Sequence, residues 1–119
     1  MFKNCKSLVD APILSASYVS EYSYFYMFEG CEALTGTPIL PAKEVNYVSY
    51  SNMFNSCSSL ITAPDLPATS TIGRGAYANM FSGCSSLVNI PSILPIMDLN
   101  YSYSYAGMFE NCISLLDAP

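Results

Sequence analysis

The chain has 119 residues, enough for one domain with a modest core. Only 11% of them are charged, nine acidic against four basic, and there is no histidine. Four scattered cations (Lys3, Lys6, Lys43 and Arg74) exclude a nucleic-acid footprint or a polybasic membrane patch. Without histidine, the commonest general base and the commonest metal ligand are both missing.

Taken in chain order, one element keeps returning. MFKNCKSLVDAP opens the chain at Met1, followed by MFEGCEALTGTP from Met27 and MFNSCSSLITAP from Met53. MFSGCSSLVNIP from Met80 and MFENCISLLDAP from Met108 complete the series, with periods of 26, 26, 27 and 28 residues. Four residues after each Met stands Cys5, Cys31, Cys57, Cys84 or Cys112; seven after it stands Leu8, Leu34, Leu60, Leu87 or Leu115. Eleven after it comes Pro12, Pro38, Pro64, Pro91 or Pro119, and three before each internal Met a tyrosine: Tyr24, Tyr50, Tyr77 or Tyr105.

Within a unit, Tyr50, Met53/Phe54, Cys57 and Leu60 recur at steps of three or four. That spacing predicts one face of a short helix or 3₁₀ turn. The residue before each cysteine is Asn4, Gly30, Ser56, Gly83 or Asn111; Gly and Asn tolerate the left-handed conformation that turns the chain out of such a segment. A short strand over Leu60 to Ala63 follows, closed by a proline that cannot donate to a ladder. Leu40-Pro41-Ala42 and Leu66-Pro67-Ala68 then bend the chain back, and Val19, Val45, Ile72 and Leu99 line the return leg.

A unit of this size cannot bury its own apolar face, but stacked copies can. The expectation is an α/β repeat solenoid with short parallel strands and short helical or 3₁₀ turns, 26–28 residues to the repeat. It would be a single repeat domain over 1–119, its coils starting near Met1, Met27, Met53, Met80 and Met108. No polar capping repeat is visible at either end, which predicts a part of a longer array or a subunit that stacks head to tail.

Met-Phe-x-x-Cys-x-Ser-Leu, then Ala-Pro-x-Leu-Pro-Ala, then an apolar residue and Tyr, resembles the BspA-type, or Treponema-pallidum-type, leucine-rich repeats. TIGRGAYANMFSGCSSL, residues 71–87, comes closest, and the similarity spans essentially the whole chain. The resemblance implies a right-handed solenoid from an extracellular or cell-surface protein, used for adhesion and binding. The tyrosine-rich stretches SEYSYFY and NYSYSY depart from the pattern.

Three sets of side chains are candidates for function. The cysteines stand 26–28 residues apart with no second Cys in a unit, against the short spacings of metal sites. Stacked side chains also keep their Cβ atoms near the coil spacing, too far for a relaxed disulfide. A structural ladder of buried free thiols is the favoured reading. The residue after each repeat leucine (Val9, Thr35, Ile61, Val88 and Leu116) would point outward as an apolar strip if the leucine points in. If the strand is irregular, this column is partly buried instead; both readings stand. All ten tyrosines lie in the segments leading to a Met. Among them Tyr22, Tyr26, Tyr47, Tyr101 and Tyr103 vary between units, either as recognition contacts or as packing against neighbouring coils.

No catalytic residue, cofactor or metal site follows from these residues, so an enzyme is not expected. The functional expectation is a binding or adhesion module for a protein or carbohydrate ligand, without nucleic-acid binding or membrane insertion. The alternative is a self-assembling subunit of an extracellular fibre.

Overall fold

The computed structural model describes residues 2–12, 14–36, 39–67, 71–90 and 106–115. Met1, Pro38, Ala68, Pro91, Leu99, Tyr101, Tyr103, Tyr105, Leu116 and Pro119 lie outside them. Among the described residues there are three two-residue strands: β1 (Tyr18–Val19), β2 (Glu44–Val45) and β3 (Thr71–Ile72). They form one parallel sheet in the order β1-β2-β3, pairing Tyr18 with Glu44 with Thr71, and Val19 with Val45 with Ile72. Single parallel bridges join Asp10 to Gly36 and Thr62 to Asn89. Each pairing therefore joins residues one repeat period apart, so equivalent positions of successive units lie side by side.

The strand expected over Leu60 to Ala63 contributes only the bridge at Thr62. The reason lies in the proline column: Ala11 and Ala63 donate the last bonds, to Gly36 and Asn89, and the next residues, Pro12 and Pro64, have no N–H. Paired strands form instead on the return leg, where the β-branched column Val19, Val45 and Ile72 sits.

No described residue is in a helix. The spacing of three and four that predicts one is met by a run of tight turns. Alternate N–H groups close them locally: Ser49, Ser51, Met53, Asn55 and Cys57 each bond the carbonyl three residues earlier. The intervening N–H groups of Val48, Tyr50, Asn52, Phe54 and Ser56 reach the next unit, at Arg74, Ala76, Ala78, Met80 and Ser82. A helix would have spent all of them internally; here half are left to join neighbours.

Every second turn needs a positive φ at its third residue, the requirement of a type II turn. The column before each cysteine meets it, with φ of 61° at Asn4, 72° at Gly30, 63° at Ser56, 76° at Gly83 and 61° at Asn111. Four residues earlier a second column does the same: Tyr26, Asn52, Asn79 and Gly107. A third comprises Tyr22, Val48 and Gly75. Val48 at 56° is the exceptional member, because a β-branched residue is strongly disfavoured there.

The close approach of neighbouring units also decides residue size. A Cβ on Gly30 would run into Asn4 Oδ1, and Gly36 and Gly107 stand in the same relation to Asp10 Oδ1 and Asn79 Oδ1. In each case an oxygen of one unit occupies space that glycine leaves empty in the next.

The core is made of the repeated columns. Phe28, Phe54 and Phe81, Met53 and Met80, Leu34, Leu60 and Leu87 are all fully buried. Full burial of such side chains is worth about 1.5–3 kcal/mol each. Phe2, Phe28, Phe54, Phe81 and Phe109 form a continuous ladder of near-parallel rings, with centroids 5.5–5.7 Å apart and interplanar angles of 4–10°. Tyr24, Tyr50 and Tyr77 make a second column at 5.8 Å. Leu40, Ala42 and Leu66 close the core from the bend.

Candidate binding surface

The cysteines occupy the centre of the stack. All five are free, Cys31, Cys57, Cys84 and Cys112 being buried and Cys5 partly so. Their thiols do more than fill space. Cys31 Sγ donates to the Phe2 carbonyl at 3.0 Å, Cys57 to Phe28 at 3.1 Å, Cys84 to Phe54 at 3.1 Å and Cys112 to Phe81 at 3.0 Å. The same four carbonyls each accept the N–H of their own unit's cysteine. Each carbonyl thus uses both lone pairs, one within its turn and one across to the next unit.

Burial pushes the Cys57 thiol up to about 12, with the neighbouring Cys31 adding to the effect. Cys84 is raised further, and Cys31 and Cys112 are raised too, in each case chiefly by burial. A thiol held protonated is a poor nucleophile and a poor metal ligand. Among the described residues no cluster of His, Cys, Asp or Glu could hold a metal ion.

The column after the leucines is exposed. Val9, Ile61 and Val88 retain 50%, 49% and 37% of their surface, and Thr35 is exposed as well. Thr35 N–H bonds Val9 O at 3.0 Å, and Val88 N–H bonds Ile61 O at 2.9 Å, so the column is held in neighbouring pairs. Asn89 Nδ2 bonds Thr62 Oγ1 beside it at 2.9 Å. Leu116 lies outside the described residues.

The tyrosines divide between core and surface. Tyr50 and Tyr77 are buried and Tyr24 is half-buried, all three in the column that precedes each Met. Tyr22 and Tyr47, from neighbouring units, are exposed and meet edge to face at 5.6 Å. Phe25 packs its edge against Tyr22 at 5.4 Å and meets Tyr26 at 4.2 Å. Lys3 Nζ sits 5.0 Å from the Tyr26 ring centre, and 4.0 Å from Glu29 Oε2. Desolvation, then the hydroxyl of Tyr47, raises the Tyr22 phenol above its ordinary value. The structure thus gathers Tyr22, Tyr26 and Tyr47 into one aromatic group, while Tyr101 and Tyr103 are not described.

Phe25 belongs to that group and was not singled out by the sequence; it lies in SEYSYFY, whose departure from the repeat was the available signal. Compared with known protein families, with curated proteins and with solved structures, the chain matches none. No helix among the described residues is long and apolar enough to cross a membrane.

Proposed function

We propose that the chain is a non-catalytic binding module. In this reading it is a right-handed leucine-rich-repeat solenoid of the BspA-like kind, displayed at a cell surface or secreted, and it presents one repeated face to a protein or glycan ligand. The observation that carries the reading is the sorting of side chains. The Phe, Cys and Leu columns are buried in the units that start at Met27, Met53 and Met80, whereas Tyr22, Phe25 and Tyr47 stand exposed and clustered. Aromatic side chains of this kind offer large amphipathic contact area at small entropic cost. The free thiols do not count against an extracellular location, since burial shields Cys31, Cys57, Cys84 and Cys112 from oxidants.

The test is binding of the chain to immobilised glycans and cell-surface proteins, with a Tyr22→Ser/Tyr47→Ser double variant beside it. Binding should be lost in the variant while its thermal midpoint stays close to that of the parent. Equal binding by both, or binding to none of the surfaces, would sink the proposal.

The second reading is a fibre subunit stacked head to tail. It is favoured by the identical bonding between units: the N–H groups of Phe2, Phe28, Phe54 and Phe81 all reach the methionine carbonyl of the next. A further copy could be joined by the same bonds. Long uniform fibres in negative stain would support this reading, and dispersed single particles would count against it.

A further inference from the structure

We propose that Tyr22 and Tyr47 form an oxidative crosslinking site, a substrate for a haem peroxidase that uses hydrogen peroxide. Three observations place the pair together. The rings are in contact, with centroids 5.6 Å apart. Both are open to solvent, Tyr22 with 51% and Tyr47 with 43% of its surface exposed. Their backbones are tied directly, Tyr22 N–H donating to Tyr47 O at 3.2 Å, so the stack keeps the two residues adjacent whatever rotamers their rings adopt.

The other ring pairs lack this combination. Tyr24 stacks on Tyr50, and Tyr77 lies tilted against Tyr50, but Tyr50 and Tyr77 are buried and closed to an enzyme or its diffusing oxidant. Tyr26 is in ring contact with Phe25, and on its other contact it meets Lys3; neither can couple. Among the described residues, Tyr22 with Tyr47 is the tyrosine pair that is both touching and exposed on each side.

The chemistry balances as follows. Each phenol gives one electron and its hydroxyl proton to the oxidised peroxidase, leaving a phenoxyl radical whose unpaired spin extends to the ring carbons ortho to oxygen. Two such carbons join, forming one carbon–carbon bond. Their two C–H hydrogens leave as protons, and both phenol oxygens are reprotonated as the rings regain aromaticity. Over the whole reaction one hydrogen peroxide is reduced to two waters and the protein loses two hydrogens. Rotation about χ1 and χ2 brings edge-to-face rings into line, and exposed side chains make such changes freely.

The product is a staple between neighbouring units at residues far apart in sequence. Like a disulfide, it restricts the unfolded chain more than the folded one, so the linked chain should melt later than the unlinked one.

The experiment treats the full chain, dilute enough to disfavour contact between molecules, with a haem peroxidase and hydrogen peroxide. The monomer band is then isolated and its peptides mapped. A peptide joining Tyr22 to Tyr47, short of two hydrogens and carrying dityrosine fluorescence, is the expected result. Tyr22→Phe and Tyr47→Phe should each remove it, and Tyr18→Phe, at an exposed tyrosine outside the pair, should leave it. The same treatment in denaturant should lose the link, because only the fold holds the rings together. Two results would overturn the proposal: a monomer without this link, or equal yield from the denatured chain.

Discussion

Raising the pH should unfold this protein through its thiols. The Cys57 thiol stands at about 12 in the fold against an ordinary 9.0. Below about pH 9 it is protonated in both states, and its burial carries no electrostatic penalty. Above that the unfolded chain releases the proton while the folded chain keeps it, so stability falls until the folded thiol also ionises near pH 12. Each unit of separation is worth about 1.4 kcal/mol, so three units make the whole loss roughly 4 kcal/mol, most of it gone by pH 11. That is a large part of the 5–15 kcal/mol typical of a domain. Cys31, Cys84, Cys112 and Tyr50 are raised as well, so their losses add in the same direction.

The assay is urea unfolding followed by circular dichroism from about pH 8 to about pH 11, on the parent and on Cys57→Val. Valine fills nearly the same space and cannot ionise. The variant should therefore lose about 2–3 kcal/mol less than the parent over that range, whatever its stability at the lower pH. Equal losses in the two proteins would refute the reasoning, since the Cys57 proton would then not be held by the fold.

Three further outcomes follow from particular contacts. Gly30→Ala should cost about 1–3 kcal/mol in unfolding free energy through its positive φ and its collision with Asn4, and adding Asn4→Gly should recover the part due to the collision. Val48→Gly should raise the thermal midpoint, gaining up to about 1 kcal/mol by relieving a β-branched residue at φ 56°, less whatever packing its side chain provides. Phe54→Ala, in the middle of the ring ladder, should lower unfolding free energy by about 3–5 kcal/mol as measured by denaturant titration.

What could be read in advance, and what could not, follows from how each residue is constrained. Columns such as Phe54, Cys57 and Leu60 were legible because they are buried in successive units, and burial restricts side-chain type. Asn4, Gly30 and Gly83 were legible because a left-handed backbone narrows the choice of residue. The same signal was present at Asn52, Asn79 and Gly107 but was diluted by Tyr26 in the same column. The turns share a helix's spacing because a four-residue turn repeat places Tyr50 and Phe54 on one face, as a helix also would. Nothing in a spacing of four says whether an N–H bonds within its own unit or to the next. The aromatic group escaped a firm reading for another reason: Tyr22, Phe25 and Tyr47 meet across two units at positions that are not equivalent in the repeat.

The three glycines filled by a neighbour's oxygen bear on how such a chain can grow. Asn4 leans over Gly30, Asp10 over Gly36 and Asn79 over Gly107. A unit carrying the long polar side chain is thus matched to a successor lacking a side chain at that place. At these three junctions, units that look interchangeable in composition are ordered, like words under a rule of grammar. Copying the first unit behind itself would set Asn4 against a second asparagine in the space that Gly30 leaves open. A duplicated first unit would need either a glycine at the new junction or a fitted polar pair of the kind seen where Asn89 Nδ2 bonds Thr62 Oγ1.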